Sequence, residues 1–438
     1  MVFTIGSISE TTKAQSSPPS LKAKTYHSGY EEAFDSYNGI STASDGNIYY
    51  VLCSHTPDKG GQMYRFTPSI GKIKHLGDLN EVCGEKDMKA VSQGKSHVTF
   101  IESDGKLYFS THVGYYQHVN GLEKAIPPAG FKPYPGGHIL SYDLKTEKFE
   151  NLAIAEDHEG IITMNMDTKR KMIYGLTWPS GTFIEYDVAK KQLKSIGKIA
   201  GAGEYGEGKN YRVVCRSLAI NPDNGNVYLS NSEGDILYYR PGSGKIEKVE
   251  EDDLRKDYFG QYEPGSAGHM AYNWRQVIWH PSSKKVYGVH GNSGYLFEFD
   301  PARNRVKVLD RITSMPSKQS GMFDQFSYGY LGFTLGPDRN TLYYLTGGPI
   351  YENGKRITGK LTTVTGEAKG LENLHLITYH IPTGKYQDHG AIFYPDGQRP
   401  TWVNCIAVGK DGTVYTLARI TENGRTRSDL VSISVPGK

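Results

Sequence analysis

Short runs of apolar and β-branched residues recur along the chain, each broken by a polar turn. Seven times, the run after the turn carries an aliphatic residue followed at once by a tyrosine. The pairs are Ile48-Tyr49, Leu107-Tyr108, Ile173-Tyr174, Val227-Tyr228, Val286-Tyr287, Leu342-Tyr343 and Val414-Tyr415. Successive tyrosines lie 59, 66, 54, 59, 56 and 72 residues apart. A near-constant period of this size marks a repeat architecture.

The local pattern predicts what the repeat is. Val98-Thr99-Phe100-Ile101 leads into Ser103-Asp104-Gly105, and Leu107-Tyr108-Phe109 follows. Ser217-Leu218-Ala219-Ile220 leads into Pro222-Asp223-Asn224-Gly225, and Val227-Tyr228-Leu229 follows. Asp-Gly and Asn-Gly tolerate the positive φ of tight turns, so each such pair of runs reads as a β-hairpin. Phe183 to Asp187 and Leu296 to Asp300 read as third strands, and the lysine-bearing stretch Arg305 to Leu309 as a fourth. Four antiparallel strands per unit make a propeller blade. The expected fold class is all-β, a seven-bladed β-propeller over residues 19–438 after a flexible polar lead-in at residues 1–18. The last unit offers three strands of its own, ending at Leu430 to Ile433, so Leu21 to Tyr26 is expected to supply its fourth and close the ring. The seven tyrosines read as packing between blades, with no chemistry of their own.

Composition narrows the function classes without choosing one. The 51 glycines and 32 tyrosines suit a turn-rich all-β chain. No apolar run approaches the roughly 18 residues of a membrane-spanning helix, and the first eighteen residues lack the apolar centre of a secretory signal. A formal net charge of +3 gives no reason to expect nucleic acid, while a local basic site for an anion is compatible with it. Cys53, Cys83, Cys215 and Cys405 have no metal-ligand spacing and read as free buried thiols. The chain has no phosphate-binding glycine loop, no His-Glu-x-x-His and no Cys-x-x-Cys.

Propeller geometry says which loops meet. The loop entering each inner strand and the loop between second and third strands share the face around the central channel. The entering loops carry Asp35-Ser36-Tyr37, Ser96-His97, His158-Glu159, Cys215-Arg216, Trp274-Arg275, Tyr328-Gly329-Tyr330 and Thr401-Trp402. The second set carries His55, His112 to Tyr116, Trp178, Asn231, His290-Gly291-Asn292 and Arg419. The opposite face holds ordinary Asp-Gly and Asn-Gly turns. A face that concentrates His, Arg, Tyr and Trp suits an anionic, hydroxyl-rich ligand, because arginine binds carboxylates bidentately and aromatic rings stack on sugars. The long segment from His112 to His138 is expected to wall the site. A second long loop runs from Pro349 to Asn373.

Within this face His97, His112 and, as a strand opener, His138 are candidate ligands or acid/bases. Arg216 and Arg275 occupy equivalent places in adjacent units, each after a tyrosine-bearing stretch: Tyr205 and Tyr211 before Arg216, and Tyr258 among those before Arg275. A tyrosine beside an arginine has its anion favoured and becomes a candidate base. Two buried arginines need anionic partners, either neighbouring carboxylates or a ligand. Tyr115, Trp178 and Tyr330 complete the candidate substrate wall.

These residues resemble a known group, the seven-bladed propeller lyases that cleave glucuronate-containing glycans, such as ulvan lyases and L-rhamnose-α-1,4-D-glucuronate lyases. The resemblance rests on His97 entering the second unit, His112 in that unit's long loop, Arg216 and Arg275 entering the fourth and fifth, and Tyr205 or Tyr211 upstream of Arg216. It implies β-elimination. Arg216, with Arg275 or His97, would neutralise the uronate carboxylate. Tyr205 or Tyr211 would take the C5 proton, and His112 would assist as second acid/base. It also implies an anionic glycan as substrate, no required cofactor, no nucleic-acid or membrane partner, a monomer or small homo-oligomer, and a secreted or periplasmic setting. A structural calcium ion in or below the channel is compatible with it, without nameable ligands.

Three other readings compete. A rhamnosidase-like glycoside hydrolase would want two flanking carboxylates, and on the collected face only Asp35 and Glu159 offer themselves. A non-enzymatic propeller that binds glycans or proteins is allowed by the fold. A metal-dependent lactonase-type propeller would need inward carboxylates and asparagines where His and Arg dominate.

Overall fold

A computed structural model of the chain describes residues 20–290, 293–320, 332–349, 351–352, 355–356 and 372–435. The architecture is all-β and propeller-like. Five sheets each contain four antiparallel strands in chain order, and an eight-stranded sheet contains two further four-stranded halves. The first sheet shows the unit: Ile40–Thr42, Ile48–Leu52, Gln62–Thr67 and Lys72–Asp78. Its second strand is wholly buried, whereas the fourth is largely exposed. The exposed fourth strands carry the lysines, which blunt a free edge against pairing with other chains.

The seven aliphatic–tyrosine pairs all fall in second strands. Their tyrosines are between 0 and 5% exposed. Several span neighbouring sheets, as expected of packing residues. Ring centroids are 5.9 Å apart for Tyr49–Tyr142 and for Tyr174–Tyr239, 5.4 Å for Tyr228–Phe299, and 5.9 Å for Phe66–Tyr415.

Hydrogen bonds also run from unit to unit. Ser41 donates to the Phe100 carbonyl at 3.0 Å, and the Ile161 amide to the Thr111 carbonyl at 3.2 Å. Asn165 donates to the Leu218 carbonyl at 2.8 Å, and the Val277 amide to Ser217 at 3.1 Å. The Phe333 amide donates to Gln276 at 2.8 Å, and Thr42 to the Val408 carbonyl at 2.9 Å. The N-terminal strand Leu21–Thr25 pairs antiparallel with Arg425–Ile433, in the register Ala23↔Ile433, and in parallel with Lys385–Phe393. The lead-in at residues 1–18 lies outside the described residues. All four cysteines are buried and free. Among the described residues no helix is long and apolar enough to cross a membrane.

Candidate functional site

Two glycines bring the central histidines together. A methyl group on Gly94 would stand 2.4 Å from the α-carbon of Gly114, so the segments holding these residues touch backbone to backbone. Lys95 and His112 then form an isolated antiparallel bridge, with His112 N donating to Lys95 O at 2.8 Å. His97 follows two residues after Lys95 and enters the second sheet. Its ring centroid lies 4.4 Å from that of His112. His97 stacks on Tyr37 at 4.0 Å, and His112 meets Trp178 edge-on at 5.4 Å.

These rings line a cavity of about 700 Å³ together with Tyr116, Glu123, Glu204, Tyr211, Arg216, Arg275 and Trp402. That volume lies in the range of sites that hold a small molecule or one or two units of a glycan. The aromatic wall continues through Tyr116, whose hydroxyl lies 3.1 Å from His55 Nε2. The segment between His112 and His138 forms the hairpin Gln117–Val119 and Leu122–Lys124, inserted between the second and third strands of its sheet, and brings Glu123 and His118 to the mouth.

Electrostatically, the cavity combines uncharged imidazoles with fixed charges. Burial lowers the pKa of His97 well below the usual value, reinforced by His112, Lys95 and Arg216. Burial does the same for His112, followed by Lys95 and Arg216. Both rings are therefore neutral at pH 7. His97 Nε2 and His112 Nδ1 are buried and have no hydrogen-bond partner among the described residues. A buried polar nitrogen left this way is costly unless a ligand or water meets it. Arg216 Nη2 lies 2.7 Å from Glu204 Oε1, both side chains being 9% exposed. Glu204 also accepts from Trp178 Nε1 at 2.7 Å and from the Val214 amide at 2.9 Å. The Glu123 carboxyl is pushed up by burial, against the opposing pull of Lys95.

Of the residues singled out in the sequence, the structure brings together His97, His112, Tyr211, Arg216, Arg275 and Trp178. Several others it does not. Tyr205 ends the short turn Gly203–Tyr205, is 50% exposed and lies off the cavity lining. Its phenol is shifted up by burial and by Glu159 and Asp157, which runs against a role as an arginine-activated base. Tyr115 packs against the core, and its neighbour Tyr116 takes the wall position because side chains alternate along an extended segment. Tyr258 is 59% exposed beside Tyr295. His138 is held between Glu85 Oε1 at 2.7 Å and Asn151 Oδ1 at 2.9 Å, a buried structural pairing away from the cavity. Tyr330 lies outside the described residues, as does most of the Pro349 to Asn373 loop.

The carboxylates also differ from expectation. Asp35 is tied to Arg419 by two bonds of 2.6 and 2.8 Å, and Glu159 accepts from Thr177, the Ser180 hydroxyl and the Ser180 amide. The carboxylates lining the cavity are instead Glu123 and Glu204, neither of which lies on the collected loops. Glu204 directly precedes Tyr205, and Glu123 belongs to the hairpin inserted between second and third strands, outside the repeated strands that the sequence pattern marks. Among the described residues no three His, Cys, Asp or Glu side chains converge to hold a metal ion.

No protein-family model matches the chain. No curated protein matches it in sequence either. In backbone it is similar to a chain of a solved structure described as "Crystal Structure of Mitotic Checkpoint Complex", with a TM-score of 0.51 and 11% identity over 98% of this chain and 97% of that one. At such low identity the likeness speaks for the fold alone, and it agrees with the propeller-like all-β architecture.

Proposed function

We propose that this chain is a carbon–oxygen lyase that cleaves a uronate-bearing glycan by β-elimination in the cavity between His97, His112, Tyr211, Arg216 and Arg275. The carrying observation is the pair of neutral, buried imidazoles of His97 and His112 lining the same cavity as two guanidinium groups. Arg275 and Arg216 draw charge from the substrate carboxylate, which makes the C5–H bond acidic. A neutral imidazole of His112 accepts that proton, the C5–H electron pair becomes the C4–C5 double bond, and the C4–O bond breaks. Tyr211 gives its proton to the leaving oxygen. Tyr37 and Tyr116 on the same wall are pushed upward by burial and stay protonated, which leaves the neutral imidazole as the group able to accept the proton. No electron acceptor is required, since the elimination is redox-neutral.

The proposal includes a ring of seven four-stranded units closed by Leu21–Thr25. It is supported by the inter-sheet bonds that link the first six units in turn, by Leu21–Thr25 pairing with strands of both halves of the eight-stranded sheet, by Thr42 bonding to Val408 between the first and last, and by Gln276 reaching Asn38 at 2.8 Å. An anionic glycan as partner and a secreted or periplasmic setting belong to the same reading.

A second reading, a glycoside hydrolase, is favoured by Glu123, whose raised pKa suits a general acid. Against it, Glu204 is engaged by Trp178, Val214 and Arg216. The test is incubation with a panel of uronate glycans, including ulvan and gum arabic, followed by near-ultraviolet absorbance and reducing-end assay. Unsaturated product that disappears in Arg275→Ala supports the lyase. New reducing ends without absorbance transfer the assignment to hydrolysis, and no product of either kind leaves a binding propeller.

A further inference from the structure

Lys95 is fully buried and has no part in the elimination described above. It is 0% exposed, and its Nζ has no hydrogen-bond partner among the described residues. An ammonium stripped of water is costly, and a methionine of similar length would fill the same space without charge. Its position ties it to the site instead. Its backbone is bonded in both directions to that of His112. Its side chain runs behind the aromatic wall, with Nζ 3.9 Å from the Tyr116 ring centroid and 5.8 Å from that of Tyr37. Both rings line the cavity, and Tyr37 carries His97 stacked upon it. Two π faces thus stand where hydrogen-bond acceptors are missing.

We propose that Lys95 is a positioning residue of this site, a fixed positive charge behind the Tyr37–Tyr116 wall that keeps a second positive charge off His97 and His112 and so holds both rings uncharged where they line the cavity. Its catalytic consequence rests on the lyase reading; its physical consequence does not. Around Lys95, the anions of Glu123 and Asp35 and the thiol of Cys53 favour its charged form, while burial outweighs them and brings it down to about 8. Lys95 in turn lowers His97, His112 and His55, and Arg216 adds to the effect on His97 and His112. Near neutral pH the ammonium is therefore mostly protonated and the imidazoles are not.

The test is a nuclear magnetic resonance titration of the histidine rings in the full chain and in Lys95→Met. Losing this buried unit charge is expected to raise the His97 and His112 midpoints by about one to two pH units. Where substrate is turned over, the acid limb of kcat/KM moves up with them. A purely structural lysine would lower Tm and leave both midpoints in place, and unmoved midpoints in a folded variant overturn the proposal. If Lys95→Met does not fold, Glu123→Gln, at the half-exposed hairpin, serves instead. Removing that anion is expected to move the Lys95 titration below about 8, and an unchanged Lys95 midpoint overturns the assignment. Shifted midpoints in a protein that cleaves no glycan support Lys95 while sinking the lyase.

Discussion

His112 Nδ1 lies against the backbone of Gly160, where a methyl group would stand 2.3 Å from it. Gly160 opens the first strand of the third sheet and pairs with Trp178, so the approach is fixed by the sheet itself. The His112 ring is wedged among Trp178, His97 and this backbone and has little room to yield. Gly160→Ala is therefore expected to push the imidazole off its position. On the proposed lyase reading, a displacement of about 1 Å in the base costs roughly a hundredfold in kcat/KM. Steady-state kinetics beside a thermal melt will check it, and a variant with wild-type kcat/KM would falsify the placement of His112 at the reacting atoms.

Arg216 and Glu204 should respond unequally to truncation. Glu204 has three donors, Arg216, Trp178 Nε1 and the Val214 amide, and keeps two of them in Arg216→Ala. That variant is expected to fold and to lose roughly a hundredfold or more in turnover. Glu204→Ala leaves a nearly buried guanidinium without its carboxylate, at a cost of about 3–5 kcal/mol in stability. Urea unfolding of the two variants will show the asymmetry, and equal losses would mean that the pair is solvated.

The repeat was readable because it is carried by buried residues under a strong constraint. Each of Tyr49, Tyr108, Tyr174, Tyr228, Tyr287, Tyr343 and Tyr415 is buried in a second strand, so its aliphatic neighbour and preceding turn recur with it. The pairing of Leu21–Thr25 with the last strands was legible as a missing fourth strand. The inner strands were harder to bound. Ala219–Ile220 and Ala407–Val408 are only two residues long, too short for an alternating pattern to mark their ends.

The site was legible where topology alone decides. Tyr37, His97, His112, Trp178, Arg216, Arg275 and Trp402 all come from the two sets of loops that the repeat assigns to one face, and all line the cavity. What failed was anything set by local conformation within a loop. Tyr205 and Glu204 are adjacent, and a single short helical turn decides which of them reaches Arg216. Glu123 arrives on a hairpin inserted between second and third strands, at the place where Tyr351–Glu352 pairs with Lys355–Arg356 in another unit, and no period in the sequence gives its residues. Lys95 is two residues from His97, but its burial depends on Tyr116 folding back over it, a contact no spacing encodes.

Acid should destabilise the protein through its histidines. Burial holds His97 and His112 well below the ordinary value, His55 at about 2 and His290 at about 3. Below about pH 6.5 the unfolded chain takes up protons at these positions and the native state does not, so stability rises with pH through this window and is lost on acidification. Each such group contributes up to about 1.4 kcal/mol per pH unit below that point. Urea midpoints measured from about pH 7 down to about pH 5 will show the slope, and His97→Gln with His112→Gln should cut it by about half, with His55 and His290 supplying the rest. A stability that stays level across this range would mean that water reaches the rings and lets them protonate in place.

His138 should matter to stability and not to chemistry. Its ring joins Glu85 to Asn151 within the second sheet, with the His138 and Glu85 side chains only 6% and 8% exposed. Removing it leaves Glu85 with Gln93 Nε2, at 2.9 Å, as its remaining donor on that side. A buried carboxylate that loses such a partner costs about 3 kcal/mol. The backbone bond from His138 N to Thr111, which supports the residue before His112, survives any side-chain change. His138→Ala is thus expected to lower the unfolding midpoint strongly while kcat/KM, measured well below that midpoint, stays within about threefold of the parent, a change of less than 1 kcal/mol. A large loss of turnover in a stably folded His138→Ala would show that the substrate reaches past the cavity wall to this second sheet, and would enlarge the binding site beyond the residues that line it.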